Sequence, residues 1–283
     1  MNKKTGFRIK LAIFIAITAA GLIYASIPLF KRIATERSIA KEIEKYNEVI
    51  QPEEIDYSPV WEMFDSFNAS LLENEMQFVI SDEQKAAVEE ISGMTNDIVG
   101  IVDIPGEDIR LPIYIGLAEN NLQSGAAWWT GSSLPAGGPG THTVISAHSG
   151  LAKAKMFTDL DRMKTGDLFS VSFLDRTMYY EVDQIKTVLP DDVSDLYIIP
   201  GEDHVTLYTC TPYGVNTHRL LVRGKRIDAP EIREPARITG EAVIDKTVIF
   251  LISFSCVTII LLTILSAVAA HKSKKNRKEN GGG

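Results

Sequence analysis

The chain has 283 residues, enough for one or two domains and a sizeable core. With 45% hydrophobic and 23% charged residues, 20 Gly and 12 Pro, its composition excludes a collagen, a low-complexity polymer and a wholly disordered chain. A mean hydropathy of +0.02 alongside 29 basic and 37 acidic side chains means that apolar residues are concentrated somewhere.

They are concentrated at the two ends. Leu11 to Phe30 and Thr247 to Ala270 carry no charged side chain, and each is long enough to cross the ~30 Å hydrocarbon core as a helix. Lys3, Lys4, Arg8 and Lys10 precede the first stretch, and Lys272, Lys274, Lys275, Arg277 and Lys278 follow the second. Positive-inside logic therefore expects both termini in the cytoplasm and everything between the two spans outside. A cleaved leader ending near Ala25 and Ser26 is the alternative for the first stretch; its continuation through Ile27, Pro28, Leu29 and Phe30 favours an uncleaved anchor. Without its tails the chain keeps 20 basic and 36 acidic residues, a net of −16. Such a surface repels polyphosphates and excludes nucleic acid as a partner.

From Arg32 to about Ile50 the pattern is helical, the expected stalk leaving the membrane. Gln51 to Trp61, with Pro52, Pro59 and several acids, reads as a break or exposed loop. A second helix is expected from Ser81, where Gln84 completes a capping box, to about Ile91. From Asn96 the period becomes that of strands. IVGIVDIPGEDIRLPIYIG reads as two strands around Pro105–Gly106, and THTVISAH, DLFSVSF, MYYEVDQIKTV, HVTLYTC and HRLLVRGKRI each alternate near period two. Ala154 to Met163 reads as one or two helical turns. Many short strands separated by turn signals predict a mainly β, closed barrel or sandwich rather than a doubly wound sheet.

There are two cysteines. Cys256 lies inside the second apolar stretch, so Cys210 is a lone thiol in the outer domain. A buried cysteine is most often apolar filler, but Cys210 ends a strand, and eight residues later the next strand opens with His218 and Arg219. A guanidinium there can stabilise a thiolate and an oxyanion. His142 and His148 flank one strand, and His148, at its end, is the better general base. Scattered His without CxxC or HExxH spacing argues against zinc. The glycine-rich PAGGPGTHT has no Lys-Ser/Thr after it and reads as a mobile loop rather than a phosphate cradle.

VTLYTCTPYGVNTHRLLVRGKR, from Val205 to Arg226, resembles the sortase signature in its class C, pilus-assembling form, and THTVISAHSG and FTDLDRMKTGD are similar to the same class. The resemblance covers roughly Asn96 to Asp228 and implies a sortase β-barrel with Cys210 as nucleophile, His148 as acid/base and Arg219 as stabilising cation. It implies cleavage of an LPxTG-like sorting signal between Thr and Gly through a thioester, then transfer to an amine, in class C usually a pilin lysine, with no cofactor and no metal. Partners would be LPxTG-bearing pilins or surface proteins. The rivals are cell-wall anchoring of surface proteins, a surface cysteine protease, and a non-catalytic scaffold.

Two departures stand out. The family's Gly-His-Arg around the base is Ala147, His148 and Ser149 here. The lid of class C, with its Asp-Pro-aromatic, is matched only out of order by Asp56, Tyr57, Ser58, Pro59, Val60 and Trp61; the expectation is that Asp56 pairs with Arg219 and Trp61 covers Cys210. The expected organisation is a basic tip and anchor (1–30), a helical stalk and lid region (31–95), a catalytic barrel (96–228), a linker (229–246), a second span (247–270) and a basic cytoplasmic tail (271–283).

Overall fold

The computed structural model describes residues 3–50, 55–72, 78–151 and 153–230, with isolated positions beyond 250. The expected second span at 247–270 and the basic tail lie almost entirely outside the described residues. Anchor and stalk form one helix, α1 (Lys3–Val49), with Pro28 inside it. Among the described residues this is the one helix long and apolar enough to cross a membrane. Its part up to Ile33 belongs to one compact unit, and Ala34–Glu241 form another.

In the second unit, Ile39, Ile43 and Tyr46 of α1 are buried, one to two turns apart on one face. The stretch read as a loop through Trp61 instead starts a helix, α2 (Ser58–Leu72), which buries Trp61, Phe64, Phe67, Asn68 and Leu71. Pro59 does not prevent it, because a proline in the first turn removes a donor that has no intrahelical partner anyway. Helix α3 (Asp82–Thr95) begins where expected: Ser81 Oγ accepts from Gln84 N while Gln84 Oε1 accepts from Ser81 N.

Eight strands follow: β1 (Ile98–Ile104), β2 (Ile109–Ile115), β3 (Ala126–Trp128), β4 (Thr141–Ser146), β5 (Leu168–Phe173), β6 (Arg176–Val188), β7 (Asp203–Thr211) and β8 (His218–Ile227). A short helix, α4 (Glu119–Leu122), joins β2 to β3. The strands close into a barrel in the order β1-β2-β3-β4-β7-β8-β6-β5, so no edge is left unpaired. The mainly β closed barrel expected from the sequence is present. Two of its ladders, β2–β3 and β4–β7, are parallel. Its interior is filled by side chains such as Trp128, Ile145, Phe169, Val182, Leu207 and Val222, all essentially inaccessible. At Ala154–Met163 the chain makes turns and a short 3₁₀ segment, Leu160–Arg162.

Candidate active site

Cys210 is the penultimate residue of β7, and in the antiparallel β7–β8 ladder it stands directly opposite Arg219. Directly paired residues share a face, with Cβ atoms ~4.5–5.5 Å apart. Along β7, Leu207 and Thr209 are buried, whereas Cys210 is partly exposed. The period of two thus turns the thiol away from the core, onto the face that carries Tyr208's neighbour Arg219. The Arg219 guanidinium is held by the loop it borders: Nη1 donates to Asn216 O at 3.1 Å and to His218 O at 3.0 Å. Burial pushes the Tyr208 phenol up, and Arg219 beside it pulls the other way.

His148 reaches the same place by a different route. Strands β4 and β7 run parallel from Thr141↔Asp203 to Ser146↔Tyr208. The register holds one residue further, because Ala147 N donates to Tyr208 O at 3.2 Å and Thr209 Oγ1 donates to Ala147 O at 2.7 Å. His148 follows directly, just past the end of β4, at the end of β7 that carries Cys210. Beyond it the chain turns: Phe157 N donates to His148 O at 3.0 Å, and Gly150 adopts φ +77°, where a Cβ would lie 3.3 Å from the Tyr213 ring. Glycine there permits both the left-handed backbone and the close approach to the β7–β8 loop. Cys210 and Arg219 are thus paired across a hairpin, and His148 follows the end of the strand that flanks β7 on its other side.

One partner was not anticipated. His148 Nε2 lies 3.4 Å from Glu119 Oε1, on α4. Glu119's carboxyl is held below its ordinary range, first by Gln123 Nε2, which donates to it at 2.5 Å, and then by His148. The one signal in the sequence is an acid in a short segment between two strands, which no local pattern ties to a histidine 29 residues on. The outer wall of the site was also missed. Trp129 packs edge-to-face on Tyr208 at 5.4 Å, Phe78 lies 5.4 Å from Trp129 and 6.0 Å from Tyr197, and Leu196 and Leu221 complete the apolar cluster.

The expected lid residues are elsewhere. Asp56 Oδ1 accepts from Ser58 N at 3.0 Å at the start of α2, and that bond holds its carboxyl down; its side chain makes no ion pair with Arg219, which is occupied by the two loop carbonyls. Trp61 is buried, donates Nε1–H to Asp175 Oδ1 at 2.8 Å, stacks edge-on against Phe64 and Phe173, and has Arg176 4.0 Å above its ring. Asp175 and Arg176 sit at the start of β6, whose far end pairs Val188 with Arg219. Twelve residues of strand, roughly 40 Å at ~3.3 Å each, separate Trp61's contacts from that end. Trp61 is therefore a core residue and does not cover Cys210.

The Sortase domain family model matches residues 102–227. The crystal structure of sortase C1 from Streptococcus agalactiae is 40% identical, covers 66% of this chain and 98% of its own, and superposes with a TM-score of 0.62. The chain belongs to the sortase family. The X-ray structure of Clostridium perfringens sortase C with the C-terminal cell wall sorting motif is 39% identical over 68% of this sortase and 98% of its own chain, with a TM-score of 0.57. Sortase A of Bacillus anthracis is 29% identical over 158 residues, 53% of this chain and 72% of that protein. This sortase is a cysteine transpeptidase, structurally close to the class C pilus sortases.

Proposed function

We propose that this sortase cleaves an LPxTG-like sorting signal between Thr and Gly and transfers the acyl group to an amine, a pilin lysine, so polymerising pili. The observation that carries the reading is the register that pairs Cys210 with Arg219 and continues β4 toward Cys210 with His148. The Cys210 thiolate attacks the threonyl carbonyl carbon, and the Arg219 guanidinium stabilises the oxyanion. The C–N bond then breaks, His148 gives its proton to the leaving glycyl amine, and a thioester remains. In the second half, the lysine amine attacks the thioester while His148 takes its proton; the new amide forms as the S–C bond breaks and the thiolate is regenerated. Nothing in this cycle requires a cofactor or metal.

The anchor in this reading is α1, with the basic residues before it in the cytoplasm, a second span at 247–270, and the barrel (96–228) outside as the catalytic domain. The cell-wall sorting motif bound to the Clostridium perfringens relative supports the substrate class, and the similarity to sortase C1 supports the pilin acceptor.

The test offers the chain an LPxTG peptide with excess amine. Wild type should form mainly the amide; Cys210→Ala should form neither thioester nor product, and His148→Ala and Arg219→Ala should fold yet turn over slower by about 10² or more. Mainly free acid would make the enzyme a protease, and undiminished product from Cys210→Ala would remove the thiol from the chemistry.

A further inference from the structure

We propose that Glu119 is a positioning residue for His148: its carboxylate fixes the imidazole with the proton on Nε2 and leaves Nδ1 as the nitrogen that exchanges protons at the Cys210 thioester. The proposal rests on His148 being the acid/base of the reaction above.

A carboxylate only accepts hydrogen bonds, so the His148 nitrogen facing Glu119 Oε1 at 3.4 Å must be the one bearing hydrogen. In the neutral ring that is the Nε2–H tautomer, and the other nitrogen then holds the free lone pair. Both halves of the cycle use that nitrogen: in the imidazolium, Nδ1 gives its proton to the glycyl amine when the thioester forms, and its lone pair, freed by that transfer, takes the lysine proton when the thioester breaks. A ring free to present the wrong nitrogen would lose part of its encounters in each half.

The fold places Glu119 there by more than one constraint. Strand β3 pairs with the outgoing end of β4, Ala127 opposite Ser146 and Trp128 opposite Ile145, and runs parallel to β2, Ile113 beside Ala126. The β2–β3 connection leaves β2 level with Ile145 and returns into β3 at the end of the barrel where the chain leaves β4 after Ser146. Within it, Asn121 Nδ2 donates to Ile115 O at 2.7 Å and to Gly116 O at 3.1 Å, fastening α4 to the end of β2. Gly125 seals the return: a Cβ there would lie 2.6 Å from Pro112 O. Gln123 Nε2, from the residue that caps α4, donates to Glu119 Oε1 at 2.5 Å. Gln123 and His148 thus meet at one carboxylate oxygen, Glu119 Oε1.

The His148 and Glu119 side chains are 27% and 66% exposed, so solvent weakens the pair and the effect is moderate. The test uses the full chain in detergent, with thioester formation on an LPxTG peptide followed in a single turnover without added amine. Glu119→Ala should slow that step by about threefold to fivefold, the range of an exposed charge pair, and slow aminolysis in the same proportion. The peptide KM should stay put. Glu119→Gln, whose amide oxygen still accepts from Nε2–H, should recover part of the rate. In ring-¹⁵N-labelled protein, the His148 signals, assigned by their loss in His148→Gln, should move from the Nε2–H pattern toward a tautomer mixture in Glu119→Ala and return in Glu119→Gln.

An unchanged acylation rate with a raised acceptor KM would overturn the proposal and make Glu119 a docking site for the incoming ammonium. A rate loss matched by a fall in melting temperature, with the ring signals unmoved, would also overturn it in favour of a structural role. Wild type that forms no thioester would bring down the transpeptidase reading and this extension together, whereas wild type that reacts and a Glu119→Ala variant that matches it would sink only the extension.

Discussion

Acidification provides a quantitative test of how the wall of the site is built. His142 is 1% exposed; its Nδ1 lies 2.9 Å from Tyr197 O and its Nε2 2.7 Å from Thr206 Oγ1. A carbonyl accepts, so Nδ1 carries the hydrogen and Nε2 accepts from the threonine hydroxyl: a neutral ring with both nitrogens used. Burial pushes the imidazole down to about 4 from its ordinary 6.5; His204 and Arg223 act in the same sense, while the Tyr197 carbonyl and Asp183 oppose. Between those two values the unfolded chain binds a proton that the folded chain refuses, so stability is fully present above 6.5 and falls as the pH drops. At pH 5 the loss from this one group is roughly 2 kcal/mol, levelling near 3 kcal/mol below pH 4, at about 1.4 kcal/mol per pH unit. The three tryptophans, Trp61, Trp128 and Trp129, all belong to the barrel unit, so urea unfolding of the full chain followed by their fluorescence reads that unit. Wild type should lose about 2 kcal/mol more than His142→Gln between pH 7 and pH 5. Groups retained in both chains and remote from His142 cancel in the difference. Parallel decline of the two chains would refute the buried neutral imidazole.

Two further substitutions separate core from site. Trp61→Ala should cost about 3–5 kcal/mol, because it removes the indole bond to Asp175 and the contacts with Phe64 and Phe173. At temperatures where the variant is folded, alkylation of Cys210 should proceed at the wild-type rate; faster labelling would restore Trp61 as a cover. Gly224→Ala would bring a Cβ to 2.4 Å from Phe169 Cε1 and 2.9 Å from Tyr180 Cβ. Overpacking of that kind costs about 1–3 kcal/mol, read as a lower urea midpoint, and an unchanged midpoint would mean that the Phe169–Tyr180 stack yields freely.

Local features of the fold were legible in the sequence. The capping box at Ser81 and Gln84 and the period-two strands, from IVGIVDI to HRLLVRGKRI, depend on neighbours a few residues apart. The pairing of Cys210 with Arg219 was also within reach, since a short loop joins β7 to β8. What escaped depends on distant partners. Helix α2 was hidden by Pro59 and by a row of apolar side chains whose partners lie far along the chain: Trp61 bonds Asp175, 114 residues away, and Asn68 donates to Leu134 O and accepts from Leu134 N, 66 residues away. Strand β3 has only three residues and owes its existence to β2 on one side and β4 on the other. Glu119 could not be tied to His148 before that pairing was known.

The same distinction bears on how the site is kept in shape. Cys210 and Arg219 are joined by a hairpin, but His148 meets them only through the parallel β4–β7 ladder, whose partners are separated by 62 positions. Side chains alternate along a strand, so a slip of one residue in that ladder would turn one strand's inward set outward and carry His148 past the thiol. Apolar alternation alone sets such a register loosely where both strands offer small and β-branched residues. The polar seam makes it specific: His142 Nε2 meets Thr206 Oγ1, Thr209 Oγ1 reaches Ala147 O, and Thr141 Oγ1 approaches Asp203 Oδ1 at 3.4 Å. A slipped register would leave these buried groups without partners, each at about 1–3 kcal/mol. Buried His142 and Thr209 thereby hold the register between the strand that leads into His148 and the strand that carries Cys210.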